Sequence, residues 1–268
     1  MEIAGHMTRD NNSHVWDARS YEKVSSTVQL RWGQELVETR KWLGTEIVMD
    51  AGAGSGSVTK VLAGKVPYGR VYAVDADPNM VQQARLNLSG NRNVTIIQSS
   101  MEEANLPTPV DVVFSNAALH WVQDLEGTFS HFWQLLRPGG ELLIEGGGQG
   151  NLDREVSIIF DLMELDRFRK HFVGWKQSWH FLEQVETEKL LKMTGFRDIK
   201  VSLMRRRTAF PDRQSFSIFA KTVIMKPFLP YLPDEEKDHF LKAFLDRIEE
   251  FRSGWSLDNV RLTISARR

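Results

Sequence analysis

Ile47-Val48-Met49-Asp50-Ala51-Gly52-Ala53-Gly54-Ser55-Gly56 reads as a buried strand, a carboxylate, a glycine turn and the start of a helix. A strand that turns at once into a helix needs backbone angles that side chains resist and glycine tolerates. The missing side chains also let a ligand lie against the backbone. The helix predicted to begin between Gly54 and Ser57 aims its amides and positive dipole end at that ligand.

Two ligand classes use such a turn. A dinucleotide takes G-x-G-x-x-G, with its pyrophosphate at the helix start. S-adenosylmethionine sets its amino-acid part there, under an acidic residue and G-x-G-x-G. The spacing Gly52-x-Gly54-x-Gly56, with Asp50 ahead and Ser57 where the dinucleotide pattern wants a small residue, favours the methyl donor. A purely structural turn is the bland alternative, but three alternate glycines exceed its needs.

Downstream the chain alternates. Short apolar runs at Arg70–Asp75, Val94–Gln98, Val110–Ser115 and Glu141–Glu145 read as strands two to five after strand one at Glu46–Asp50. Val58, Val61 and Leu62 mark the helix after the glycine turn, which ends near Gly64. Asp77 and Pro78 form a cap and first position for the next helix. Strands alternating with helices predict an α/β fold with a doubly wound, mostly parallel sheet, whose ligands sit at the strands' carboxyl ends. Asp75, ending strand two, is placed to accept ribose hydroxyls from either cofactor class.

Upstream, residues 1–19 read as a flexible lead-in. Ser20–Trp42 reads as a helix with Val24, Val28, Trp32, Leu36 and Val37 on one face. After Gly146-Gly147-Gly148 the rhythm breaks. Residues 152–194 and 211–252 read as helical, the second block interrupted by Pro227, Pro230 and Pro233. Ile199–Met204 and Val260–Ala266 supply a sixth and a seventh strand. The expectation is one domain over 20–268, with helical cap segments about 147–194 and 211–255 roofing the site.

Composition narrows the classes. The 268 residues are 41% hydrophobic, enough for one large core with a modest cap. Lys and Arg total 34 against 35 Asp and Glu, so no polyanion-binding surface and no nucleic-acid partner are expected. No cysteine is present, which removes disulfides, thiolate metal sites and cysteine nucleophiles. No His, Asp and Glu spacing suggests a metal. No apolar run approaches a membrane span, and no signal-peptide pattern opens the chain, so a cytoplasmic protein without a membrane partner is expected.

Four stretches, Asp50 to Gly56, Val71 to Met80, Ser115 to Val122 and Leu135 to Ile144, resemble the class I S-adenosylmethionine-dependent methyltransferases and their Rossmann-like seven-stranded sheet. Within that class the chain resembles the trans-aconitate, juvenile-hormone-acid and malonyl-carrier carboxyl methyltransferases. The phrase Leu119-His120-Trp121-Val122-Gln123 and the cap residues Pro227-Phe228-Leu229 carry the closer likeness.

The resemblance implies roles for matching residues. Gly52, Gly54 and Gly56 would face the methionine part under Asp50. Asp75 would hold the ribose, Ala76 would line the adenine, and Ser100 and Met101 would contact its edge. Many relatives carry an acidic residue at that edge, and Glu102 is a possible substitute. Asn116 would meet the cofactor's amino group through its backbone. Gln29 and Trp121 would hold a substrate carboxylate. S-adenosyl-L-homocysteine would be the product, the acceptor a small molecule, and the protein a monomer or homodimer.

Alternatives stay open at this point. His120 is a base if the acceptor is a hydroxyl, amine or carbon acid, and a packed side chain otherwise. Trp175, Trp179, His180, Met225 and Phe228 either line an acceptor pocket or fill the cap core. Arg205-Arg206-Arg207 either attracts an acidic substrate or is a solvated charge run. A non-catalytic binding module on the same fold and a dinucleotide oxidoreductase complete the alternatives.

Overall fold

The computed structural model describes residues 18–251 and 254–268, with side chains from residue 28 onward. The lead-in over residues 1–17 and the side chain of Val24 therefore lie outside the described residues. The chain runs α1 (Ala18–Val37), β1 (Ile47–Ala51), α2 (Ser57–Lys65), β2 (Arg70–Asp75), α3 (Pro78–Asn87), β3 (Val94–Gln98) and β4 (Val110–Asn116). It continues through α4 (Leu125–Leu135), β5 (Leu136–Gly147), α5 (Asp153–Met163), α6 (Asp166–Arg169) and α7 (Gln184–Thr194). β6 (Arg197–Ala209), α8 (Arg213–Phe219), α9 (Asp234–Glu250) and β7 (Ser256–Arg267) complete it.

Seven strands form one sheet in the order β3-β2-β1-β4-β5-β7-β6. β1 to β5 pair in parallel, and β7 is antiparallel to both β5 and β6. Successive residues of a strand face opposite sides, so a strand covered on both faces must be apolar throughout. In β1, Val48 packs with Leu36 of α1 and Leu62 of α2, and its neighbour Met49 packs with Phe129 and Phe132 of α4. The strand order reverses between β1 and β4, and ligands collect at the carboxyl ends beside such a reversal.

The cap is a separate apolar cluster. Phe168, Phe172, Trp179, Phe216, Phe228, Phe240 and Phe244 come together there from α5, α6, α8, α9 and their connections. Two expectations need correction. Residues 152–194 are not one helical block, because no helix spans 170–183. The spacing of Phe168, Phe172, Trp175 and Trp179 mimics a helical stripe, yet those rings converge from a loop. The third helix of that block, α7, buries Leu191 against the sheet beside Phe196 and belongs with the main core rather than the cap. β5 also begins at Leu136, five residues before the expected start at Glu141, with an irregularity where the register shifts around Gly139.

Candidate active site

The glycine turn is wired to the end of β2. The amides of Gly52 and Ala53 both donate to the Val74 carbonyl, at 2.8 and 2.9 Å. The Gly54 amide donates to Asp75 Oδ2 at 2.7 Å, and the Asp77 amide donates to Asp75 Oδ1 at 2.9 Å. Asp77 in turn caps α3 by accepting from the Asn79 and Met80 amides. One carboxylate thus fixes both the turn and the start of α3, while its remaining lone pairs can take hydroxyls.

The three glycines do different things. All have positive φ, which glycine adopts at no steric cost. A Cβ at Gly52 would overlap the Cβ of Ala118, so the turn after β4 presses against the glycine turn. A Cβ at Gly54 would meet nothing within 4 Å, which leaves an open cradle. A Cβ at Gly56 would lie 2.6 Å from Leu88 Cδ1. Gly56 is absent from the cavity lining, so it serves packing between α2 and α3, not the ligand contact expected of it.

A cavity of about 730 Å³ opens over these residues, within the roughly 300–1,000 Å³ range of small-ligand sites. Asp50, Gly52, Gly54, Asp75, Ala76, Ser100, Met101, Asn116, Gln29 and Trp121 all line it, and so does Glu102. Residues far apart in sequence are therefore gathered as anticipated. Gln29 comes from α1, whose backbone carbonyl at Gln29 accepts from Asn116 Nδ2 at 3.0 Å. Ala117, next to Asn116, is held at φ 56, a strained value for a residue with a side chain, and its amide donates to the Glu145 carbonyl at 2.7 Å.

Burial sets the charges. Asp50 is buried and its carboxyl is pushed up to about 7, chiefly by desolvation, against the hydrogen bond from Thr59 Oγ1 at 2.6 Å and with repulsion from Asp75 adding to the rise. Burial likewise raises Asp75, and the amides of Asp77 and Gly54 pull it back. A cationic ligand beside Asp50 would favour its charged form. The donor set fits S-adenosylmethionine: an open cradle at Gly54, a buried carboxylate at Asp50, a carboxylate at a strand end, and Met101 and Ala76 for a flat base. Asn116 Oδ1, a buried acceptor with no hydrogen-bond partner among the described residues, adds a further polar atom at the same wall.

His120 stands elsewhere. It is not in the cavity lining, and its ring lies between Trp121 and Phe181, with centroids 5.5 and 5.9 Å away. Burial, and secondarily the nearby Arg261 charge, pull its pKa down to about 3. A neutral imidazole of such low proton affinity is a poor base at pH 7. Because the unfolded chain would bind this proton first, stability is complete above the ordinary histidine pKa. It falls as pH drops toward 3, by up to ~1.4 kcal/mol per pH unit. Unfolding midpoints measured from pH 7.5 to 4.5 should fall less steeply in His120→Phe than in the wild type. Equal slopes would clear His120 of this role.

The other ambiguous residues sort by burial. Met225 and Phe228 are fully buried in the cap. Trp175 stacks on Phe228 at 5.1 Å and donates from Nε1 to the Pro227 carbonyl. Trp179 is buried and meets the Trp121 ring edge-on at 5.9 Å, bringing the cap aromatics to the wall of the cavity. The His180 amide donates to the His120 carbonyl at 2.8 Å. In the arginine run, Arg206 pairs with Glu35 of α1, and Arg207 donates to Ser256 Oγ; none of the run lines the cavity. Sequence reading missed Asp77, Lys226, Tyr231 and the Lys176-Gln177-Ser178 stretch, which also line the cavity. The cap members had no motif to mark them. Asp77 was visible only as a helix cap. No cluster of His, Asp and Glu suited to a metal occurs among the described residues, and none of their helices is long and apolar enough to cross a membrane.

Comparison with known proteins agrees with this architecture. Residues 49–144 match the family model described as a methyltransferase domain. The trans-aconitate 2-methyltransferase of Acidovorax sp. (strain JS42) is 26% identical, over 88% of this chain and 90% of that protein. The juvenile hormone acid O-methyltransferase of Bombyx mori is 26% identical, over 90% of this chain and 87% of that protein. Among solved structures, the phosphoethanolamine N-methyltransferase 2 of Haemonchus contortus, in complex with S-adenosyl-L-methionine, superposes with a TM-score of 0.60 at 18% identity. That match covers 94% of this chain and 56% of the other, so this chain spans a little over half of that structure.

Proposed function

We propose that this S-adenosylmethionine-dependent methyltransferase takes as its acceptor the carboxylate of a small, partly apolar acid. The observation that carries the reading is that Gln29 and Trp121 line the same cavity as Gly54 and Asp75. Two of the relatives are named for the methylation of acids.

The bound cofactor supplies an electrophilic methyl group on a sulfonium, and S-adenosylhomocysteine is its product. In this reading Gly52 and Gly54 make room for its amino-acid part, Asp50 balances its positive charge, and Asp75 holds the ribose. Asn116, Ala76, Ser100, Met101 and Glu102 complete its enclosure. A carboxylate, with a pKa near ~4, is already a nucleophile at neutral pH and needs no base. The enzyme must orient it and strip its water. Gln29 and Trp121 offer neutral N–H donors, which orient an anion without quenching its reactive lone pair. Among the described residues no histidine lines the cavity, which is consistent with such chemistry. The edge of Trp179 against Trp121 supplies the apolar side of the acceptor's surroundings.

The test is a screen of acids, alcohols and amines with a labelled methyl donor. A base-labile product formed from acids is the expected result, and base-stable product from alcohols or amines alone would overturn the reading. Gln29→Ala and Trp121→Ala should each lower kcat/KM for the acid by about 10- to 100-fold, the loss of one or two hydrogen bonds to a charged group. Their affinity for S-adenosylhomocysteine should stay within about 2-fold of wild type, since less than ~0.5 kcal/mol of cofactor contact is removed. Unchanged acid methylation in both variants would show that the acceptor is held by other residues.

A further inference from the structure

The cap places a cation, Lys226, at the cofactor end of the cavity. Lys226 lines the cavity together with Asp75, Asp77 and Pro78, the residues that end β2 and begin α3. Its chain neighbours Met225 and Phe228 are fully buried in the cap cluster, so its backbone is anchored there. It lies two residues beyond a π-helical turn over Ala220–Ile224, an uncommon helix form that is frequent at functional sites. The two carboxylates that attract Lys226 are Asp77 and Asp75. Burial works against its charge strongly enough to bring its pKa down to about 7. A lysine kept in so costly a place sits where two carboxylates repel each other and where a ribose is to be bound.

We propose that Lys226 is a positioning residue through which the cap holds the cofactor: it offsets the Asp75–Asp77 repulsion and keeps Asp75 an ionised acceptor for the ribose. Asp75 already serves the amides of Gly54 and Asp77. The amides of Asp77 and Gly54 favour its charged form most, the lysine charge adds to them, and its remaining lone pairs stay available. Cap seating and cofactor binding then share one carboxylate, and each favours the other by the same coupling free energy.

The inference rests on the assignment of Asp75 to the ribose, so its test includes that assignment. S-adenosylhomocysteine binding is measured by calorimetry and its dissociation by stopped flow, for Lys226→Met, Lys226→Arg and Asp75→Asn. Lys226→Met should weaken binding by about 10-fold through faster dissociation, the scale of one close ion pair in a partly buried site. Lys226→Arg, which restores the charge, should stay within about 3-fold of wild type. The unfolding midpoint of the ligand-free protein separates a structural loss from a loss of coupling, because only the latter reduces the shift produced by S-adenosylhomocysteine. Wild-type affinity in Lys226→Met alongside weak binding in Asp75→Asn would overturn the role of Lys226 and leave Asp75 in place. Wild-type affinity in both would overturn the Asp75 assignment as well.

Discussion

Asp75→Asn should weaken S-adenosylhomocysteine binding by on the order of 100-fold or more while leaving the fold intact. Both carboxylate oxygens accept backbone amides, from Gly54 at 2.7 Å and Asp77 at 2.9 Å. An asparagine can accept at one of these positions only, and it turns an N–H toward the other amide. The variant therefore loses a charged ribose acceptor and disturbs the glycine turn in the same step. Hydrogen bonds to a charged group are worth ~1.5–3 kcal/mol each, and two of them exceed the ~2.7 kcal/mol that a 100-fold loss represents. Calorimetry measures the affinity, and far-ultraviolet circular dichroism checks the fold. Affinity within about 3-fold of wild type would place the ribose elsewhere, since ~0.7 kcal/mol is less than either bond.

The second large effect is on stability. Arg261 of β7 and Glu145 of β5 form an ion pair at 3.2 Å, and both side chains are about 95% buried. The Arg261 guanidinium also lies over the Trp32 ring of α1, 4.3 Å from its centroid. Glu145→Leu leaves a buried cation without its carboxylate and should cost ~3–5 kcal/mol, a large share of the ~5–15 kcal/mol that a domain possesses. Urea unfolding measures the loss. The double variant Glu145→Leu/Arg261→Met removes both charges and should recover most of it, because the penalty belongs to the unpaired charge and not to the absence of the bridge. Equal stability of single and double variants would refute that account. Since Arg261 braces the helix that carries Gln29, the single variant should also lose acceptor kcat/KM.

Much of the site could be read locally. Glycine spacing at Gly52 and Gly54 and a carboxylate at the end of β2 are short-range signals, because a turn and a strand end are short-range structures. The range of β2 matches its apolar run residue for residue, since Val71 to Val74 are buried and leave an unbroken apolar record. What the sequence left open falls where neighbours in space are remote in sequence. Gly56 shares the motif with Gly52 and Gly54, but its missing side chain makes room for Leu88 of the next helix segment. His120 sits inside the most specific phrase of the chain, yet its ring turns away from the cavity toward Phe181. The aromatic residues of 168–179 kept a helical spacing in a stretch that is mostly loop, because apolar periodicity records burial and the cap buries rings from any backbone.

The sequence by itself determined the alternation of strands and helices, the glycine turn, the carboxylate at the end of β2 and the class of cofactor, all written in residues within a few positions of one another. Only the tertiary structure decided that β7 enters antiparallel between β5 and β6, that His120 is shut out of the cavity, and that Lys226 of the cap lines that cavity together with Asp75 and Asp77. Those outcomes depend on long-range packing and on desolvation of charge, and neither leaves a periodic mark in the chain.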